Sequence, residues 1–336
     1  MPRLRRVDCS APGLTRRRSG KGFVYLDRNG ARVTDHATLA RVEALVIPPA
    51  WNDVWICELP NGHIQATGTD AAGRRQYRYH DAWRTQRDRA KFDHMLEFGR
   101  ALPDLRARLT ADLHSDELTR ERVLACATRL LDLGFFRIGT EGYAEQNQTY
   151  GLATIRKDHV TVRGNVVEFD YVAKSGKQRL QSIVDPSVVE VVRALKRRRG
   201  GGPELLAYRG DNGWCDVRSA EINAYIKDVT GGDFTAKDFR TWSATVLAAV
   251  ALAVSGEART PTARKRAVAR AFREVAHYLG NTHAVCRSSY VDPRVVDRYQ
   301  AGVTVAHAVQ DLDAQDDVEW AVLDLLADAP PLKAAV

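Results

Sequence analysis

Leu279-Gly280-Asn281-Thr282, followed within a few residues by Ser288-Ser289-Tyr290-Val291-Asp292-Pro293, is the stretch on which the reading of this chain turns. It begins at the end of Pro261–Leu279, whose apolar spacing predicts a helix. Moving outward, Asp238-Phe239-Arg240-Thr241-Trp242 opens a second predicted helix over Lys237–Val254, with Thr235 or Asp238 as its cap. Tyr171-Val172-Ala173-Lys174 ends a predicted strand, and Phe136-Arg137-Ile138-Gly139 follows a predicted helix over Leu118–Leu133 that stops at Gly134. The side chains that stand out are Arg137, Lys174, Arg240, Asn281 and Tyr290, spread over more than 150 positions.

These residue types form a set suited to breaking a phosphodiester without a metal. Attack on phosphorus builds negative charge on a five-coordinate centre, and fixed cationic donors must meet it. Arginine suits that task because its planar fork binds two phosphoryl oxygens and stays protonated. Arg240 falls in the first turns of a helix, where backbone N–H groups also favour an anion. Tyr290 is the candidate nucleophile; its phenol, of ordinary pKa about 10, needs deprotonation or nearby cations to attack at neutral pH. Lys174, at the tip of a predicted hairpin, is the candidate general acid for a sugar-oxygen leaving group. Asn281 can donate a neutral hydrogen bond but cannot become cationic or transfer a proton, so its expected role is orientation. Taken singly, each residue has a plainer reading: surface arginine, solvated hairpin lysine, half-buried tyrosine. Lys177 is close enough to be confused with Lys174. His283 is a second candidate beside Asn281, and Tyr299 reads as packing.

The bulk properties fit. The chain has 336 residues, enough for two domains, with 44% hydrophobic and 27% charged residues. No apolar run approaches the length of a membrane span. Five widely spaced cysteines without a Cys-x-x-Cys pair argue for reduced thiols, a cytoplasmic setting and no zinc site. A net charge of +8 suits a polyanionic partner. The runs Arg16-Arg17-Arg18 and Lys196-Arg197-Arg198-Arg199 by themselves read as solvated faces or mobile tails.

The pattern predicts an α+β chain in three parts: a flexible basic arm over residues 1–20, a small β-rich domain over 21–88 and a mainly helical domain over 89–336. In the second part, Phe23–Leu26 and Ala31–Val33 flank an Asn29-Gly30 turn, and Asp35 caps a short helix that Pro48-Pro49 prevents from continuing. In the third, a β insertion over His159–Arg163, Val166–Val172 and Gln178–Ile183 precedes helices at Ser187–Arg198, Ser219–Val229 and, near the end, Val318–Ala327.

Read together, the five strings resemble the type IB DNA topoisomerases, particularly the small bacterial and poxvirus-type enzymes, from about Lys21 to Tyr299. The resemblance implies a helical catalytic domain related to that of the tyrosine recombinases. It implies Arg137, Lys174, Arg240, Asn281 and Tyr290 as catalytic residues, with asparagine where many members carry histidine. It further implies relaxation of supercoiled duplex DNA through a 3′-phosphotyrosyl intermediate, strand swivelling and religation, with neither ATP nor metal, by a monomer associated with the nucleoid. The duplex would lie in a clamp hinged on a linker near residues 82–90. Arg74-Arg75-Gln76-Tyr77-Arg78-Tyr79 resembles the family's Gln-Tyr-x-Tyr segment, so Arg74, Arg75, Gln76, Tyr77 and Tyr79 are candidate DNA contacts, although the alternation equally suits an edge strand. Tyr143 and Thr149-Tyr150-Gly151-Leu152 also match the family's pattern, with Tyr143 expected near a phosphate, and Ser219 is a further phosphate candidate at a helix start. Two other readings share these residues: a tyrosine recombinase, which a helical rather than β-rich N-terminal domain would favour, and a DNA-binding protein of this fold without catalysis.

Overall fold

The computed structural model describes residues 3–115, 117–256, 258–309 and 315–327. The chain divides into two compact units, one ending at Phe92 and the other beginning at Asp93.

The first unit is built on a five-stranded antiparallel sheet. Its strands are β1 (Leu14–Ser19), β2 (Gly22–Leu26), β3 (Asn52–Ile56), β4 (Ile64–Thr69) and β5 (Arg75–Tyr79), in the order β2-β1-β3-β4-β5. Helix α1 (His36–Ala44) covers it, and the Asp35 carboxylate caps that helix by accepting from Thr38 N–H at 2.8 Å. Leu14, Val42, Val54, Ile56 and Ala66 form its core, with Trp51 and Tyr25 packed against them. The expected flexible arm is a correction: residues 14–19 are strand β1, paired with both β2 and β3. Composition concealed this because the arginines there are structural or outward-facing while the backbone does the pairing. Arg16 donates to Pro48 O at 3.0 Å and Trp51 O at 2.7 Å, and its guanidinium lies 4.2 Å from the Phe23 ring centroid. Residues 82–90, expected as a hinge, lie within the continuous helix α2 (Asp81–Leu113).

The second unit is mainly helical. After α2 come α3 (Arg120–Gly134) and α4 (Glu141–Asn147), then an antiparallel sheet of β6 (Val160–Arg163), β7 (Val166–Ala173) and β8 (Lys177–Ile183). Helix α5 (Pro186–Arg197), the unforeseen hairpin β9 (Ala207–Gly210) and β10 (Gly213–Asp216), and α6 (Ser219–Thr230) follow. The chain continues through α7 (Ala236–Val254), α8 (Pro261–Leu279), α9 (His283–Ser289), α10 (Pro293–Gln300) and α11 (Gln315–Ala327). Trp242, on α7, is fully enclosed and meets Gly99 of α2 so closely that a Cβ there would lie 2.9 Å from the indole. Phe98 packs edge-on against Phe239 at 4.8 Å, and Phe136 against Phe169 at 4.9 Å. Burying such aromatic surface, with the aliphatic side chains around it, drives these helices together. Among the described residues, no helix is long and apolar enough to cross a membrane.

Candidate active site

Four separate segments of the second unit converge at the C-terminal end of α8. The first begins where α3 ends. Phe135 takes the left-handed conformation at φ 54°, which turns the chain so that Phe136 enters the core and Arg137 points to the site. Gly139, at φ 75°, lies directly against Gly151: a Cβ on Gly139 would sit 2.8 Å from the Gly151 Cα. The contact is closed by Leu152 N–H donating to Arg137 O at 2.8 Å and Ala153 N–H to Ile138 O at 2.7 Å. Both glycines are required by this close approach.

Arg240 comes from the first turns of α7, where Asp238 accepts from the Thr235 N–H at 2.8 Å. It is 4% exposed. Its fork donates to Phe135 O and, at 3.0 Å, to Leu279 O. Its guanidinium carbon lies 5.3 Å from the centroid of the Tyr290 ring. Burial, reinforced by the nearby Arg137, lowers the Arg240 pKa to about 10, while Tyr290 opposes that shift.

Tyr290 closes α9. Its N–H donates to Cys286 O at 3.0 Å, and the backbone on either side is held by α7. Thr245 Oγ accepts from Asp292 N–H at 3.2 Å and lies 3.3 Å from Tyr290 O. Asp292, fully enclosed, caps α10 and pairs with Arg294 at 2.7 Å. The Val-Asp-Pro sequence after the tyrosine thus serves as an anchor.

Asn281 follows the αL glycine that ends α8, Gly280 at φ 62°. Arg137 Nη2 donates to Gly280 O at 3.2 Å and also to Asn281 Oδ1. Because a guanidinium can only donate, the amide oxygen must face Arg137. That leaves Nδ2, buried and without a protein partner, as a neutral donor. Lys174 is exposed in the turn between β7 and β8, where Ser175 and Gly176 have φ 67° and 70°. It lines a cavity of about 240 Å³ together with Arg137, Gly139, Thr149 and Tyr150. Thr149 adds a buried hydroxyl without a protein partner.

The structure therefore gathers Arg137, Arg240, Asn281 and Tyr290, with Lys174 on a cavity shared with Arg137. Sequence reasoning missed Arg179, on β8, which donates to His277 O at 3.2 Å and to Tyr278 O. Four successive carbonyls at the end of α8, those of residues 277–280, thus each accept from an arginine brought by another element. The negative end of the helix dipole and the carbonyls with acceptor capacity to spare are what allow three guanidinium groups to crowd here. Among the described residues, none of Arg137, Arg179 and Arg240 has a carboxylate partner. The phenol of Tyr171, beneath them, is pushed up to about 12 by burial, against the pull of the three arginines. No local sequence signal marks Arg179; only the pairing of β8 with β7 and the approach of α8 select it.

The remaining candidates are carried by other elements. β5 is an edge strand with Arg75, Tyr77 and Tyr79 on one face, and Tyr77 and Tyr79 stack at 6.0 Å. Arg74 pairs with Asp70 at 2.9 Å, and Gln76 donates to the same carboxylate at 2.9 Å. Ser219 begins α6, where its N–H donates to Glu141 Oε1 at 3.0 Å. Tyr143 falls in α4, but its side chain lies outside the described residues. His283 is half-buried beside Phe272 at 5.6 Å and lines a different cavity, with Arg264 and Arg287. Tyr299 is buried and donates to Gly256 O at 3.2 Å, a packing role.

A phenol beside a carboxylate-free arginine cluster, on a helical unit that follows a small β unit, defines a site for an anionic ester. Comparison with known proteins supplies the class. Residues 80–315 match the family model of the eukaryotic DNA topoisomerase I catalytic core, and residues 22–70 match that of the bacterial DNA topoisomerase IB N-terminal domain. The chain is 31% identical over 296 residues to the DNA topoisomerase 1B of Acanthamoeba polyphaga mimivirus, covering 86% of this chain and 88% of the relative. It is 30% identical over 153 residues to the DNA topoisomerase 1 of Candidozyma auris, covering 44% of this chain and 19% of the relative. For the DNA topoisomerase 1 of Daucus carota the identity is 28% over 142 residues, covering 42% of this chain and 17% of the relative. The chain belongs to the type IB DNA topoisomerases and is an isomerase of that class.

Proposed function

We propose that the protein relaxes supercoiled duplex DNA by transient cleavage of one strand, and that the arginine cluster around Tyr290 is where the strand is cut. The observation that carries this reading is the gathering of Arg137, Arg179 and Arg240 with no carboxylate partner among the described residues, 5.3 Å from the phenol ring in the case of Arg240. Such uncompensated charge suits a phosphate that gains negative charge during reaction. The Tyr290 oxygen forms a bond to phosphorus, and the bond from phosphorus to the 5′-oxygen breaks. The result is a 3′-phosphotyrosine and a 5′-hydroxyl. Lys174 gives its proton to the departing oxygen, the phenolic proton passes to solvent, and Arg137 and Arg240 hold the phosphoryl oxygens. Asn281 Nδ2 adds a neutral hydrogen bond to one of them. Torsional energy in the DNA turns the free end, and reversal of the chemistry reseals the strand without ATP. No step calls on a metal, because arginines stand where a metal's charge would act. The outward Arg75, Tyr77 and Tyr79 of β5 suit contacts to the duplex.

Plasmid relaxation in EDTA without ATP tests this, with wild type beside Tyr290→Phe. Relaxation by the wild type alone supports the class of reaction and the nucleophile together. An active Tyr290→Phe protein would overturn the assignment of Tyr290. Binding without relaxation by either protein would leave a recombinase or a DNA-binding protein.

A further inference from the structure

Among the three arginines at the end of α8, Arg179 has no part in the chemistry just described, yet its surroundings set it apart. It is on β8, directly opposite Tyr171 in the β7–β8 register, and two residue pairs from the hairpin end that carries Lys174. At about 3.3 Å per residue, that separation is roughly 7 Å along the strand. Around it the distal hairpin is open to solvent: Lys174, Ser175, Gly176, Lys177 and Gln178 are exposed, and Leu180 is 74% exposed. Arg179 itself is half-buried, and its pKa is lowered chiefly by that burial, with Arg137 adding to the effect.

Desolvating a guanidinium next to other cations is costly, and no carboxylate among the described residues offsets it here. What it gains is two carbonyls of α8, His277 O at 3.2 Å and Tyr278 O. The β7 arm has its own tie: Tyr150 N–H donates to Val172 O at 2.8 Å, in the turn that abuts Gly139. The hairpin is therefore held on one side to the loop of Arg137 and on the other, through Arg179, to the helix end that holds Arg240 and precedes Asn281.

We propose that Arg179 is a positioning residue for the general acid: it docks the β7–β8 hairpin on the C-terminus of α8 and so fixes where Lys174 meets the leaving oxygen. The inference rests on the reading of Lys174 as general acid given above. It makes a prediction that a purely structural or purely electrostatic role does not share. A group that acts by aiming a proton donor matters only when the leaving group needs a proton. Replacing the bridging 5′-oxygen of the scissile phosphodiester by sulfur makes the leaving group a thiolate, which departs without one.

The test compares single-turnover cleavage of two duplexes, one with oxygen and one with sulfur at a position first mapped with the wild type. The proteins are wild type, Lys174→Ala, Arg179→Ala and Arg179→Lys, each checked for folding by its thermal transition. Lys174→Ala should lose about 10²–10⁴-fold on oxygen and recover on sulfur. Arg179→Ala should lose about 10²-fold on oxygen, the cost of a misplaced catalytic group, and recover to within about threefold on sulfur. Arg179→Lys should follow Arg179→Ala, because one ammonium does not reproduce the fork held by two carbonyls; it also carries the comparison if Arg179→Ala does not fold. Wild-type speed in Arg179→Ala, or a defect equal on both substrates, would overturn the positioning role. Failure of sulfur to rescue Lys174→Ala would instead overturn the general acid assignment on which the inference rests.

Discussion

The β5 strand of the first unit and the α8 terminus of the second are both rich in arginine and tyrosine, and they manage those side chains in opposite ways. On β5 the groups are in water. Tyr77 is 45% and Tyr79 36% exposed, and Arg74 is paired with Asp70. Hydrogen bonds, first from the Arg74 backbone, hold the Asp70 carboxyl down at about 2. Pairs of this kind contribute little to stability and are screened by salt. At the end of α8 Arg240 is buried and Arg137 and Arg179 are half-buried; among the described residues they lack carboxylate partners, and they are held by carbonyl dipoles. The first arrangement suits binding; on the proposed reading, the second places charge in advance where a reaction needs it and leaves the anion to complete it.

That contrast can be broken most severely at Arg240. Arg240→Ala removes the donor to Phe135 O and Leu279 O and the cation beside Tyr290, and should slow cleavage by about 10²–10³-fold while DNA affinity changes little. Rapid-quench cleavage with a parallel filter-binding assay checks it, and equal losses in both would remove the distinction between the two regions. The pH dependence has a defined sign. With its pKa lowered to about 10, Arg240 loses its proton in the folded protein before it does so in the unfolded chain. Cleavage on a short duplex should therefore fall as pH rises through about 10. The contribution of this group to stability should rise over the interval from there to the ordinary arginine range, because the unfolded state then binds more protons.

Gly139→Ala tests the support beneath the cluster. It forces a Cβ to 2.8 Å from Gly151 at φ 75°, and should cost about 1–3 kcal/mol in chemical denaturation. It should also slow cleavage by displacing Arg137. A substitution with normal stability and normal cleavage would show that the Gly139–Gly151 contact does not hold the site. The smallest effect is expected on the solvated side. Binding as a whole should weaken steeply with salt, about 10³-fold or more from low to moderate ionic strength if about six phosphates are met. Arg75→Ala should lower that salt slope by about 1 and leave single-turnover cleavage at saturating enzyme unchanged. A change in cleavage with no change in slope would assign β5 to the chemistry instead.

Regular elements were readable where one physical signal dominated. The apolar period of Pro261–Leu279, with proline at its start and glycine after it, predicts α8 with its observed bounds. Alternation and turn residues likewise located β6, β7 and β8. The signal failed where charge stood for exposure. Arg16 and Arg198 belong to runs that read as solvated, yet Arg198 is buried and donates to Leu205 O at 2.8 Å. Strand β1 was hidden in the first run, because a strand sandwiched between two others is defined by backbone hydrogen bonds that side-chain composition does not report.

By itself the sequence determined which chemical groups this protein has and the helices, hairpins and turns that carry most of them. Those follow from propensity and period, which act over a few residues. Only the tertiary structure decided that residues 135, 137, 179 and 240 meet at one helix end, and that Arg179 belongs with the others. The reason is that like charges gather only where something compensates them. Here that is a row of carbonyls at the C-terminus of α8, which exists as a site once the helix is formed and its neighbours have packed against it.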